Sequence, residues 1–126
     1  MFAYSALVAL LISTSLDVLI ILTVYPLDVS QTSSNPYNSG IYDKCKDLAT
    51  DVLSGLLAAT GAKSDGIWET DTMSGINWST VPVTIVEVGY ITTPSDEQLL
   101  VTDEYQDKIS KGIADGLDKY ITGLEK

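Results

Sequence analysis

Apolar residues return along this chain with helical spacing in two places. Ile41, Cys45, Leu48, Val52, Leu56 and Ala59 recur at intervals of three and four, opposite Asp43, Lys46, Asp47 and Asp51. That spacing lays one apolar stripe along a helix. Gly61 stands where a left-handed C′ glycine would end it. A second stripe, Tyr105, Ile109, Ile113 and Leu117, closed by Tyr120, Ile121 and Leu124, predicts a helix from about Asp103 to Gly123. Gly112 and Gly116 lie four apart beside this stripe. Charged neighbours surround them, so they predict a close approach of helix to sheet rather than a membrane dimer face.

Elsewhere the apolar runs are continuous. Val83-Thr84-Ile85-Val86-Glu87-Val88 is apolar on both faces apart from Thr84, as a central parallel strand under helices requires. Val18 to Tyr25 is the clearest strand upstream, and Ile67-Trp68-Glu69-Thr70 reads as a short edge strand. Gln31 to Gly40 is a polar loop with turn chemistry throughout, and Thr72 to Val81 an irregular loop that carries Trp78 beside Asn77. Thr92 to Glu97 reads as a helix start, with Thr93 or Ser95 as cap, Pro94 near the first turn and acids next. The order strand, helix, strand, strand, helix, helix predicts an α/β layer architecture.

At 126 residues the chain is one domain, and 45% apolar against 19% charged residues reads as globular. A net charge of −10 argues against nucleic acid or an anionic membrane surface as a partner. Cys45, the one cysteine, forms no internal disulfide and reads as a buried thiol on its helix. Residues 1–42 hold two charges, Asp17 and Asp28, and Lys44 is the first basic residue, so no secretory signal with a positive leading region is recognisable. Ala6 to Val24 is nearly long enough to span a bilayer, but Asp17 inside it would cost about 2.5–3.5 kcal/mol. Buried strand material is therefore the expectation for that stretch.

Glu87 is the chemically pointed residue. A carboxylate closing so apolar a strand is either paired or held for chemistry. The chain has no histidine. That removes the commonest partners of such a carboxylate, an imidazole-held metal or a histidine base.

From about Tyr25 onward four blocks, in order, resemble one family. They are the loop Ser34-Asn35-Pro36-Tyr37-Asn38-Ser39-Gly40-Ile41-Tyr42, the helix end Ala59-Thr60-Gly61-Ala62-Lys63, the long segment from Met73 through Val86-Glu87-Val88-Gly89-Tyr90, and the carboxy-terminal Ser95-Asp96-Glu97-Gln98-Leu99-Leu100 with Tyr105 to Gly116. Together they are similar to the zinc-dependent N-acetylmuramoyl-L-alanine amidases, the peptidoglycan hydrolases. The resemblance implies a twisted, mainly parallel sheet flanked by helices. It also implies cleavage of the amide between the muramic lactyl group and L-alanine of the stem peptide. In the family a zinc ion held by two histidines and a glutamate polarises the carbonyl and activates water. A second glutamate, on the strand matched here, is general base and acid. Carried over, that catalytic residue is Glu87, at the carboxyl end of a strand where such sheets bind ligands. Asn77 stands where relatives often carry an arginine and is the substrate-binding candidate, without the arginine's contact.

The departures bear on activity. The zinc ligands of the family lie on segments this chain lacks or does not preserve, so no metal residue is carried over, and the chain alone is expected to be inactive. Residues 1–24 form an apolar segment unlike the family, followed by 25–126 as the carboxy-terminal part of an incomplete amidase-like catalytic domain. Shifted codons over residues 1–17 permit Val-Arg-Ile and Gly-Ser-Ala-Asp in family-like order, so a native coding segment and an out-of-frame reading both stand. Peptidoglycan is the implied partner and the cell wall or extracellular space the implied location; oligomeric state is left open. Two functions remain: a truncated amidase-like hydrolase, or a non-catalytic α/β binding module or inactive remnant.

Overall fold

A computed structural model describes residues 7–8, 19–23, 30–33, 41–64, 66–70, 77, 79, 81–90 and 92–124. Within them the chain has an α/β fold. Five strands, β1 (Leu7–Val8), β2 (Leu19–Thr23), β3 (Ser30–Ser33), β4 (Ile67–Thr70) and β5 (Val83–Glu87), form one sheet in the order β1-β2-β5-β3-β4. Three helices accompany them: α1 (Tyr42–Thr60), α2 (Pro94–Leu100) and α3 (Asp103–Leu124).

The sheet combines parallel and antiparallel pairs, and most of its paired positions are parallel. β2 runs parallel to β5 and β3 parallel to β4, but β1–β2 and β3–β5 are antiparallel. The reason lies in the connection. Only residues 24–29 separate β2 from β3, and a parallel return needs a crossover of a dozen or more residues. Between β3 and β4 the chain inserts the whole of α1, and there the pair is parallel. The sheet also crosses the boundary anticipated near residue 24, because β2 pairs with β5 from Leu19↔Val83 to Thr23↔Glu87.

A second difference is β3 itself. Ser30-Gln31-Thr32-Ser33 overlaps the stretch read as the start of a polar loop. Its neighbours decide the matter: β4 and β5 pair with it from either side, and strand preference follows context more than residue type. The other elements lie close to expectation. Gly61 takes φ 71° and its N–H bonds to the Leu57 carbonyl at 2.9 Å, ending α1. β5 is buried at every residue, and β4 stands at the sheet edge. Thr93 precedes α2 in extended conformation, but its side chain makes no capping bond. The loop around Trp78 lies outside the described residues apart from Asn77, Ser79 and the stretch from Val81.

The main core joins α1 to α3 and the sheet: Leu48, Val52, Leu56, Val86, Ile109, Ile113 and Tyr120. Cys45, Val83 and Ile85 make a smaller cluster, in which the Val83 N–H points at the Cys45 sulfur at 3.4 Å. The glycine pair serves a different contact from the one expected. A Cβ on Gly116 would stand 2.5 Å from the Val52 Cα, and one on Gly112 2.7 Å from the Leu56 Cα. A Cβ on Gly55 would meet the Gly112 carbonyl oxygen at 2.3 Å. The close approach is therefore helix to helix, α3 on α1, with Lys119 bonded to Asp51 at 2.7 Å beside it.

At the sheet edge, Glu69 of β4 is tied to α1 by Lys46 at 2.7 Å and by the Tyr42 hydroxyl, which donates to it. Lys46 first, then Tyr42, holds the Glu69 carboxyl below the ordinary glutamate range.

Two outcomes follow from this packing. Gly116→Ala should cost about 1–3 kcal/mol in urea unfolding, because the helices must separate to admit a methyl group. Gly123→Ala, with nothing within 4 Å of its Cβ, should be neutral or stabilising by up to about 1 kcal/mol. For Glu69 the folded value is the lower one. Its contribution is thus present above the unfolded pKa and lost as pH falls through the folded value. A carbon-13 titration should place the Glu69 midpoint below that of a free glutamate, and Lys46→Met should move it upward.

Candidate functional site

Glu87 ends β5 and is 7% exposed. Its position follows from the strand's composition: four buried residues precede it, and the chain turns immediately after. Gly89 has φ 144°, a conformation that L side chains rarely adopt, and a Cβ there would face the Asp96 carboxylate at 3.4 Å. Asp96, in the first turn of α2, accepts the Tyr90 N–H at 3.0 Å and the Ser95 hydroxyl at 3.1 Å. The segment that leaves Glu87 is thereby fastened to the start of α2.

Two pockets meet around this strand end. The inner one, about 30 Å³, is bordered by Glu87 together with Leu53, Leu56 and Leu57 of α1 and Ile109 of α3. The outer one, about 320 Å³, reaches Gly89, Asp96 and Leu99. Both are bordered by Thr60, Ala62, Lys63, Val88 and Tyr105, so they form one cleft with Glu87 at its inner end.

Each wall is locally fixed. Gly61 turns the chain out of α1, and the Thr60 hydroxyl both donates to the Leu56 carbonyl at 2.8 Å and accepts the Ala62 N–H at 3.2 Å. On the opposite side Thr102 accepts the Tyr105 N–H at 3.3 Å, capping α3 where the ring enters the wall. Among the described residues, Lys63 is the cation that borders the cleft, and Glu87 and Asp96 are its carboxylates.

The sequence-based candidates are not all gathered here. Asn77 is half-buried and borders neither pocket. Cys45 contacts Val83, at the other end of β5 from Glu87. Lys63, Asp96 and Tyr105, which do border the cleft, were not among the site residues expected. The signal that could have found them is direction. β3 opposes β5 and α1 opposes β3, so α1 runs with β5 and delivers its carboxy-terminal turn beside Glu87. A β3 parallel to β5 would have sent that turn to the far end.

The donor set does not fit a zinc centre of the histidine–carboxylate kind. The chain has no histidine, and among the described residues no group of three or more Cys, Asp and Glu side chains could hold a metal ion. Among the described residues no helix is long and apolar enough to cross a membrane.

The profile of the family described as N-acetylmuramoyl-L-alanine amidase matches residues 14–119. The chain belongs to that family. The match starts ahead of Tyr25 and takes in β2. Over 78 residues this amidase-family chain is 33% identical to the uncharacterized protein YqiI of Bacillus subtilis, covering 62% of the chain and 37% of that protein. Over 77 residues it is 30% identical to the putative N-acetylmuramoyl-L-alanine amidase YrvJ of the same organism, covering 61% of the chain and 15% of that protein. Among solved structures, the N-acetylmuramoyl-L-alanine amidase of Clostridium difficile 630 aligns with TM-score 0.71 and 26% identity, over 84% of this chain and 58% of that one. The apo amidase Ami1 of Mycobacterium abscessus shares the fold, with TM-score 0.74 and 18% identity over 83% of this chain and 55% of that one. The family member described here thus spans 37% and 15% of the two curated relatives and little more than half of the solved amidases.

The turn after Glu87 is testable by itself. Asp96→Ala should cost about 1.5–3 kcal/mol, the range of a hydrogen bond to a charged group, and should deprotect the Tyr90 amide in hydrogen exchange. Asp96→Asn, which keeps an acceptor oxygen, should retain most of that protection.

Proposed function

We propose that this chain is the Glu87-bearing, carboxy-terminal portion of a peptidoglycan amide hydrolase, acting at the cell wall on the bond between the muramic lactyl group and L-alanine. One observation carries the reading. The residue that the family resemblance designates as general base and acid is buried at a strand end, and a cleft opens directly above it. A carboxylate so placed can take a proton from an attacking water and return one to the departing amine, so that the amide and water become an acid and an amine. Val88 and Tyr105 border the approach, and Asp96 fastens the turn that leaves Glu87.

No step through a metal is derived, because the residues present do not supply one. The chain alone is accordingly assigned no turnover. The absence of histidine beside an open cleft favours a second reading, in which the chain retains binding of muramoyl peptides without hydrolysis.

A reconstructed domain decides between the roles of Glu87. With this chain's residues 14–126, which keep β2 beside β5, joined to the metal-binding part of a related amidase, Glu87→Gln should cut turnover by about 10²–10⁴-fold while zinc content stays near the parent's. Val88→Ile should be far milder, since it alters packing alone. Full turnover in Glu87→Gln would reduce Glu87 to a structural residue, and loss of zinc would move it to the metal shell. The unmodified chain should release no L-alanine amine from purified peptidoglycan and should emerge from dialysis against a mild chelator without stoichiometric zinc.

A further inference from the structure

β4 closes the sheet on one side, and its outer backbone edge faces no strand among the described residues. A row of N–H and C=O groups left in this way is a template for another extended chain. Ile67-Trp68-Glu69-Thr70 has none of the features that blunt such an edge: no proline, no lysine, and no bulge in its register with β3. The strand at the other side of the sheet, β1, is only two residues long. β4 is also held in place. Glu69 reaches α1, where Lys46 and the Tyr42 hydroxyl meet it, so the edge is ordered before anything binds and the ordering cost of association falls. Because strand side chains alternate, Trp68 points to the face away from α1, and it is 44% exposed. Neither residue borders the cleft at Glu87.

Charge decides between occupants. Positions 65–71 carry three acids, Asp65, Glu69 and Asp71, and no cation. The Tyr42 hydroxyl is raised first by its bond to Glu69 and also by Asp43, which puts a further carboxylate in the same field. A second copy would bring another net charge of −10 to this edge. Two-fold antiparallel pairing of β4 with itself would also bring the start of each strand, after Asp65, beside the end of the other, before Asp71. The described lysines all lie on α1, on α3 or in the turn after α1, so no described strand of this chain has the complementary charge. We propose that β4 takes up a cationic, extended peptide segment as an added strand, its backbone paired with the open edge, its β-branched side chains against Trp68 and its flanking cations at the acidic ends of the strand. This surface is separate from Glu87 and goes beyond the amidase reading.

The test uses the full 126-residue chain and the probe acetyl-Lys-Thr-Val-Arg-Val-Thr-Lys amide, followed by amide NMR and hydrogen exchange. The probe should shift the amides of residues 67–70 and protect those on the outer edge. Replacing its cations by glutamate should abolish binding, and about 0.5 M salt should weaken it. A strand offers alternate residues to each side. Methylating the backbone nitrogens of the probe's second, fourth and sixth residues, or of its third and fifth, should therefore abolish binding in one case and leave the other close to the parent. Trp68→Ala, at an exposed position, should weaken the parent roughly two- to fivefold without loss of the fold. The proposal is overturned if the probe does not bind at about 1 mM, if both methylated peptides bind like the parent, if the glutamate peptide binds as well, or if the shifts fall outside β4. It is also overturned if sedimentation shows the chain dimerising and Trp68→Ala dissolves the dimer, since a second copy then occupies the edge. None of these outcomes touches Glu87 or the amidase reading.

Discussion

Backbone contact between α1 and α3 sets the dimensions of this protein. Gly55, Gly112 and Gly116 carry no side chain at the contact of the two helices, so carbonyl oxygens and Cα atoms of one lie against the other there. At ordinary interaxial distances of about 8–10 Å the side chains would hold the axes apart. Here Val52 and Leu56 of α1 and Ile109 and Ile113 of α3 instead close over Val86 as one core. The walls of the cleft belong to these same helices, Thr60 at the end of α1 and Tyr105 at the start of α3. The two helices that wall the opening above Glu87 thus meet at glycines that border neither pocket.

The direction of the strands supplies the second constraint. The short link between β2 and β3 forces a reversal, and α1 reverses the chain again before β4. As a result α1 and β5 run the same way, with Cys45 beside Val83 at one end and Lys63 near Glu87 at the other. Glu87 and Lys63, the one cation that borders the cleft among the described residues, come together through topology, although 24 positions separate them in the chain.

Much of this architecture was legible in the sequence because it rests on burial, and burial leaves a periodic trace. The stripes of α1 and α3, the unbroken run of β5, the stop at Gly61 and the start near Pro94 all have that origin. What the sequence did not disclose depends on partners. Ser30-Gln31-Thr32-Ser33 has no strand pattern and becomes β3 by pairing on both sides. Gly112 and Gly116 announced a close contact without saying that Gly55 would be across from them. Lys63 looked like an ordinary lysine after a helix stop, since nothing local tells which end of the sheet a helix returns to. For Glu87 the sequence placed the carboxylate at a strand end, and the family resemblance alone gave it a chemical role.

Cys45 gives the fold a built-in reporter. Its thiol is fully buried between α1 and the first residue of β5, and it is the sole cysteine of the chain. A thiol reagent reaches it only when α1 lifts from the sheet, so the rate of modification measures that opening without any label being introduced. Opening at this end frees the Val83 amide and leaves the Asp96-fastened turn at the other end untouched. Thiol modification and amide exchange at Tyr90 would therefore read the two ends of one strand separately, and a difference between them would show β5 fraying from its start while the Glu87 end stays closed.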